Sequence, residues 1–206
     1  FLKNKGAVAG AVGVVIIGLL SILAPIIAPY DPLQSYYDIG LDEFGAPVSP
    51  SLDFLMGTDR LGRDVLSRLL YGSRISLAVG VLGNGLVLGV GLVVGMVAGF
   101  FGGKLDAFLM RLTDLILSFP FLLLVITLVS ILDSRWVGNV VLVLVLVGWT
   151  TMARVIRGKV IALKNLPFIE AARAQGMGNG YILRKLIFPN VTGPLIVLAT
   201  VGVAGV

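Results

Sequence analysis

The sequence predicts an all-α, polytopic membrane protein, and three observations carry that expectation. Mean hydropathy is +1.03, only 13% of the 206 residues are charged, and apolar runs of 18 residues or more recur along the chain. A soluble domain carries about twice that charged fraction. Runs of this length are what a hydrocarbon layer about 30 Å thick demands of a spanning helix.

The elements follow in order. Residues 1–28 are read as an N-terminal tail and first membrane helix, its apolar run of 6–28 closing at Pro25 and Pro29. No cleavable leader is expected, because this run is long and lacks a small-x-small exit. Residues 29–74 form an external loop. Its end, MGTDRLGRDVLSRLLYGSRIS (56–76), places Leu61, Val65, Leu66, Leu69 and Leu70 on one helical face. Asp59/Arg63 and Asp64/Arg68 fall at i,i+4 on the other face. The expectation is an interfacial helix at the outer surface, capped by Thr58 or Asp59.

Residues 75–206 form the core domain. A second segment, 75–101, repeats glycine at small-xxx-small spacing (Gly85/Gly89, Gly91/Gly95, Gly95/Gly99), which lets helix backbones approach closely. Packing within the chain is the plain expectation for these pairs, and a subunit interface the sharper one. A third segment, 115–132, contains Pro120, which removes a backbone donor and should bend it. A fourth, 136–153, includes VVLVLVLV at 140–147. That run is read as helix, since an open strand in lipid leaves backbone groups unpaired. A fifth begins at Val191 and is shorter than the roughly 20 residues of a span. The chain is therefore expected to be part of a longer one.

Charge placement sets orientation. With the N-terminus inside, 11 Lys and Arg face the cytoplasm and 5 face outward, while 3 acids lie inside and 8 outside. That is the positive-inside pattern, and it accounts for the basic pI without nucleic acid.

Several chemistries are excluded. Cysteine and histidine are absent, which removes disulfides, thiolate and imidazole catalysis and the usual zinc, haem and iron–sulfur ligands. A phosphate-cradling loop needs Gly, four residues, then Gly-Lys-Ser/Thr. Gly103-Lys104 fails it at Ala98 and Leu105, and Gly158-Lys159 fails at Ala153 and Val160. No ionisable residue lies in mid-segment, where a proton relay would put one. No convergent polar set in the helices marks a substrate site.

The most patterned polar stretch is FIEAARAQGMGNGYILRKLIFPN, 168–190. Pro167 suits a first helical turn and Glu170 favours the positive end of the helix dipole. Phe168, Ala171, Ala172 and Gln175 would share a side, and Gly176, Gly178 and Gly180 would end the helix. A second short helix, 181–188, would lead to Pro189. On residues alone, docking another protein and resting on the membrane stay equally open.

Glu170-Ala171-Ala172, three residues, Gly176, nine residues, then Leu186-Ile187-Phe188-Pro189 resembles the EAA loop of permease subunits of binding-protein-dependent ABC importers. The family pattern is E-A-A-x3-G-x9-I-x-L-P; Leu186 and Phe188 are mild apolar departures. GTDRLGRDVLSRLLYGSRISL (57–77), APYDP (28–32) and FPFLLL (119–124) are similar to the C-type permease of dipeptide, oligopeptide and nickel importers. The resemblance implies a type I importer bundle of six helices, about five of them here, in a bacterial or archaeal inner membrane with the N-terminus cytoplasmic. It implies a homologous second permease, two cytoplasmic ATPase subunits that bind ATP and magnesium, and an extracytoplasmic solute-binding protein. The coupling loop, about 158–190, would seat on an ATPase through Phe168, Glu170, Ala171, Ala172, Gly176 and Pro189. The implied function is ATP-driven peptide import, with nickel import as the runner-up. A secondary transporter, a channel and a membrane scaffold are the readings from other classes.

Overall fold

The computed structural model of the chain describes residues 5–132 and 136–204. Lys3, Asp133 and Arg135, which enter the charge count, lie outside the described residues. The elements are α1 (Lys5–Ile27), α2 (Tyr37–Gly40), α3 (Val65–Phe101), α4 (Gly103–Leu117), α5 (Phe121–Ile131), α6 (Val137–Leu163), α7 (Pro167–Ala174), α8 (Asn179–Tyr181), a π-helical stretch (Ile182–Ile187) and α9 (Phe188–Ala204). Among the described residues the only β-type pairings are two isolated bridges, Leu41 with Pro47 and Thr58 with Asp64. The all-α expectation holds, and residues 140–147 lie within α6 as expected. The chain divides into two units, Phe1–Ala78 and Val79–Val206, with the boundary inside α3.

In the first unit, α1 is apolar all round and buries only Ser21 and Ala24. A helix with that profile is built for lipid, not for a globular core. The Ser21 hydroxyl lies 2.7 Å from that of Ser73 on α3, and the Tyr30 amide donates to Ser67 Oγ at 3.1 Å. The segment after α1 folds around an aromatic nest. Phe54, 1% exposed, stacks on Tyr30 with ring centroids 5.0 Å apart, and Tyr36 meets Tyr30 edge-on at 5.1 Å.

The expected interfacial helix is not a separate element. Asp59 Oδ1 accepts the amides of Leu61 (2.9 Å) and Arg63 (3.1 Å), and Gly62 sits at φ +69°. A side chain that captures nearby amides competes with the helix, so residues 58–64 turn and the helix starts only at Val65. From there it runs without a break into the membrane segment. The cap is Asp64, whose Oδ2 accepts the Ser67 amide at 2.7 Å, and not Thr58 or Asp59. Thr58 Oγ1 instead donates to the Gly40 carbonyl at 2.5 Å. Arg68 pairs with Asp59 at 3.6 Å, not with Asp64.

In the second unit, α3 and α6 meet backbone to backbone. A methyl group built at Gly95 would stand 2.6 Å from the Ala153 carbonyl oxygen, and one at Gly99 would stand 2.8 Å from Val160 Cβ. Gly91 is as tight against Met152. This seam is packing within the chain. Gly85 and Gly89 lie elsewhere on α3, with open space beside them. The Asn84 amide nitrogen donates to the Ala199 carbonyl of α9 at 2.7 Å.

The third apolar segment is more than bent. Pro120 stands immediately before α5, and α4 and α5 meet at 85°. α4 opens at Gly102 and Gly103, both with positive φ (66° and 58°), well upstream of the apolar run. The described residues thus hold three helices long and apolar enough to span a membrane, α1, α3 and α6, and the bent α4–α5 pair makes a fourth if it counts as one span. α6 continues ten residues past the expected end at Ala153, to Leu163.

Candidate functional site

The polar stretch after α6 builds a short exposed helix on an apolar bed. Leu166 is extended, Pro167 occupies the first turn, Glu170 lies in that turn and Arg173 in the last. Both charges therefore complement the helix dipole. Ile169 and Ala172, three residues apart, point inward and are 0% and 5% exposed. They pack into a cluster with Phe100 of α3, Ile156 and Val160 of α6, Ile182 and Ile187 of the π-helical stretch and Val191 of α9.

The outward side carries Phe168, Glu170, Ala171 and Ala174, all exposed. Of the residues expected at a docking surface, Ala172 alone is buried: it anchors α7, and Ile169 with it. Ala171 and Ala174 leave a low surface on the outer face, with the Glu170 carboxylate beside it. Among the described residues no hydrogen bond or ion pair engages that carboxylate.

One glycine ends α7, not three. Gly176 has φ +76°, its amide donates to the Arg173 carbonyl (2.9 Å), and the Met177 amide donates to the Ala172 carbonyl (3.0 Å). These two bonds form a Schellman cap, and Met177 adds its apolar contact by packing on the cluster. Gly178, with φ −69°, starts the next helix, and Gly180 lies inside it.

The second short helix does not stand alone either. From Asn179 the chain stays helical to Ala204, through six residues with π geometry. Proline accounts for the local widening. Pro189 has no amide to donate, and the preceding Phe188 amide reaches back five residues to the Leu183 carbonyl. The Asn190 side chain donates to the Leu186 carbonyl at 2.7 Å. Pro189 is exposed, in the first turn of α9.

Two acid and two basic residues that look scattered in sequence meet across α4 and α6. Arg157 donates through Nε and Nη2 to the two oxygens of Asp106 (2.5 and 2.6 Å), and Arg154 pairs with Asp114. A two-pronged Arg–carboxylate pair is the strong geometry for such a contact. Two further cations reach the last turn of α3. Lys164 Nζ donates to the Gly99 carbonyl at 2.8 Å, and the Arg173 guanidinium lies 5.5 Å from the Phe100 ring centroid. Sequence reasoning missed Phe100, Lys164 and Ile169. Ile169 had a signal, its three-residue spacing from Ala172; Phe100 had none, being some 70 residues away.

Comparison with known proteins returns two families that cover separate parts of the chain. Residues 91–206 match the binding-protein-dependent transport system inner membrane component. Residues 1–47 match the N-terminal TM domain of oligopeptide transport permease C. The chain is 36% identical to a dipeptide transport system permease protein of Bacillus subtilis, over 98% of its own length and 61% of that protein. It is 37% identical to an oligopeptide transport system permease protein of Escherichia coli, over 97% and 65%. It is 34% identical to a glutathione transport system permease protein of Pectobacterium atrosepticum, over 96% and 64%. The chain thus spans a little under two thirds of the length of these relatives.

Proposed function

This chain belongs to the family of inner membrane components of binding-protein-dependent transport systems, and from that premise we propose that it is a permease subunit of an ATP-driven peptide importer. It lines half of a translocation pathway and pairs with a homologous permease. Separate ATPase chains bind ATP and magnesium and dock on the cytoplasmic side, and an extracytoplasmic binding protein delivers the substrate. The N-terminus of the chain is cytoplasmic. The relatives named for dipeptides, oligopeptides and glutathione favour peptides as cargo.

The observation that carries the reading is α7. A helix of eight residues is held from below by Ile169 and Ala172, closed by Gly176, and left open above at Phe168, Glu170, Ala171 and Ala174. A segment seated on the membrane helices, with a low outer face and a carboxylate that no described residue engages, is suited to receive force from another protein. Resting on the lipid is the poorer fit, because a carboxylate beside that face is repelled by an anionic surface. The test is reconstitution with the partner permease, ATPases and binding protein. Glu170→Ala and Gly176→Leu should weaken ATPase co-purification or separate ATP hydrolysis from peptide uptake. Full assembly and full coupling in both variants would reject the docking role.

A further inference from the structure

α7 is joined by short chain segments to α6 before it and to the π-helical stretch and α9 after it, so any displacement of α7 passes to those helices through covalent bonds. α3 has no such link. It is 37 residues long, and its last turn ends directly under α7. If α3 is to move with α7, non-covalent contact must carry the motion, either indirectly through the glycine seam with α6 or directly from α7.

Most of the bed under α7 is aliphatic, and aliphatic contact is non-directional. Phe100 differs. It is 6% exposed, packs edge-on to Phe101 with ring centroids 5.2 Å apart, and presents its face to the Arg173 guanidinium at 5.5 Å. Attraction between a cation and a ring face depends on where the cation stands over the ring. One residue earlier, the Gly99 carbonyl accepts Lys164 Nζ, from the residue that caps α6. Cations from the end of α6 and from the last turn of α7 therefore converge on one turn of α3, at the helix end that favours positive charge. Gly91, Gly95 and Gly99 meanwhile hold α3 against α6 with no room for a side chain between them.

We propose that Phe100 is a positioning residue through which α7 moves α3, with Arg173 as the handle on α7 and Lys164 fixing the neighbouring carbonyl. The inference rests on the docking role of α7. Phe100 itself is too buried to touch an ATPase, which separates its role from docking.

The experiment uses the full importer in proteoliposomes, with isotope-labelled peptides from a protein digest as the transported probe. Phe100→Leu keeps an apolar side chain of similar volume and removes the ring face. It should leave ATPase co-purification and ATP hydrolysis near wild type and lower peptide taken up per ATP by about fivefold, the scale of one partly desolvated cation–π contact. Phe100→Tyr should restore the ratio. Arg173→Gln should match Phe100→Leu, Arg173→Lys should recover part of the loss, and the double variant should be no worse than either single one. A wild-type ratio in Phe100→Leu, or losses that multiply in the double variant, would overturn the proposal. If Phe100→Leu does not assemble, the Arg173 pair decides alone: equal ratios in Arg173→Gln and Arg173→Lys would overturn it. Failure of the wild-type chain to bind the ATPases would instead overturn the docking role beneath it.

Discussion

Gly176 and Asp59 show how single residues set the two loops. At Gly176 the backbone stands at φ +76° with open space around the missing Cβ. An alanine there meets no neighbour, and its cost is the backbone strain alone, about 1–2 kcal/mol. Gly176→Ala should therefore raise hydrogen exchange at the amides of Gly176 and Met177, and Gly176→Asn should do so less. Gly178→Ala, at negative φ, should leave that exchange unchanged. Asp59 organises the external turn. Burial pushes its carboxyl up, but the Arg63 guanidinium and the amides of Arg63 and Leu61 outweigh burial and hold it below the usual carboxylate value. A depressed folded value means the turn is stabilised above the ordinary carboxylate range and loses that support as pH falls through the folded value. Protection of the Leu61 and Arg63 amides, relative to their intrinsic exchange rates, should fall in that acid range, and Asp59→Asn should show low protection at every pH. Protection that stays constant with pH in the native chain would contradict the assignment.

Helices carry the next level, and here sequence and structure part in informative ways. Glycine spacing alone could not say which pairs in α3 pack within the chain, because Gly85/Gly89 and Gly91/Gly95 have the same pattern. The structure separates them by partner: Gly91, Gly95 and Gly99 face α6, whereas Gly85 and Gly89 face open space. Gly95→Ala should destabilise the chain in detergent by roughly 1–3 kcal/mol, the usual cost of overpacking, and Gly85→Ala should not. Equal melting temperatures for the two variants would contradict the seam. Pro120 was legible as a break, but not its size. The 85° turn between α4 and α5 falls at Pro120, while α4 itself starts at the positive-φ pair Gly102-Gly103, which hydropathy does not register. The external helix was misplaced for a comparable reason: i,i+4 charge spacing also fits a turn in which Asp59 binds the amides of Leu61 and Arg63. The end of α7 was readable because a Schellman cap has a sequence signature in Gly176. Its bed was not, because Phe100 reaches it only through tertiary packing.

At the scale of the whole molecule, the family and the helical class were open to sequence reasoning, since lipid imposes length and composition on every span. Which face of 167–174 points outward was not read, although the three-residue spacing of Ile169 and Ala172 marks the buried side. The central claim is that this outward face receives an ATPase. These 206 residues contain no cysteine, so a cysteine introduced at one of them is the sole thiol in this stretch. The most direct measurement is site-specific crosslinking of such variants to the ATPase in the assembled importer, at Ala171, Ala174 and Ala172 in parallel. Crosslinks from Ala171→Cys and Ala174→Cys, with little or none from Ala172→Cys at 5% exposure in the native chain, are the predicted result. No crosslink at either outer position, or equal crosslinking at all three, would contradict it.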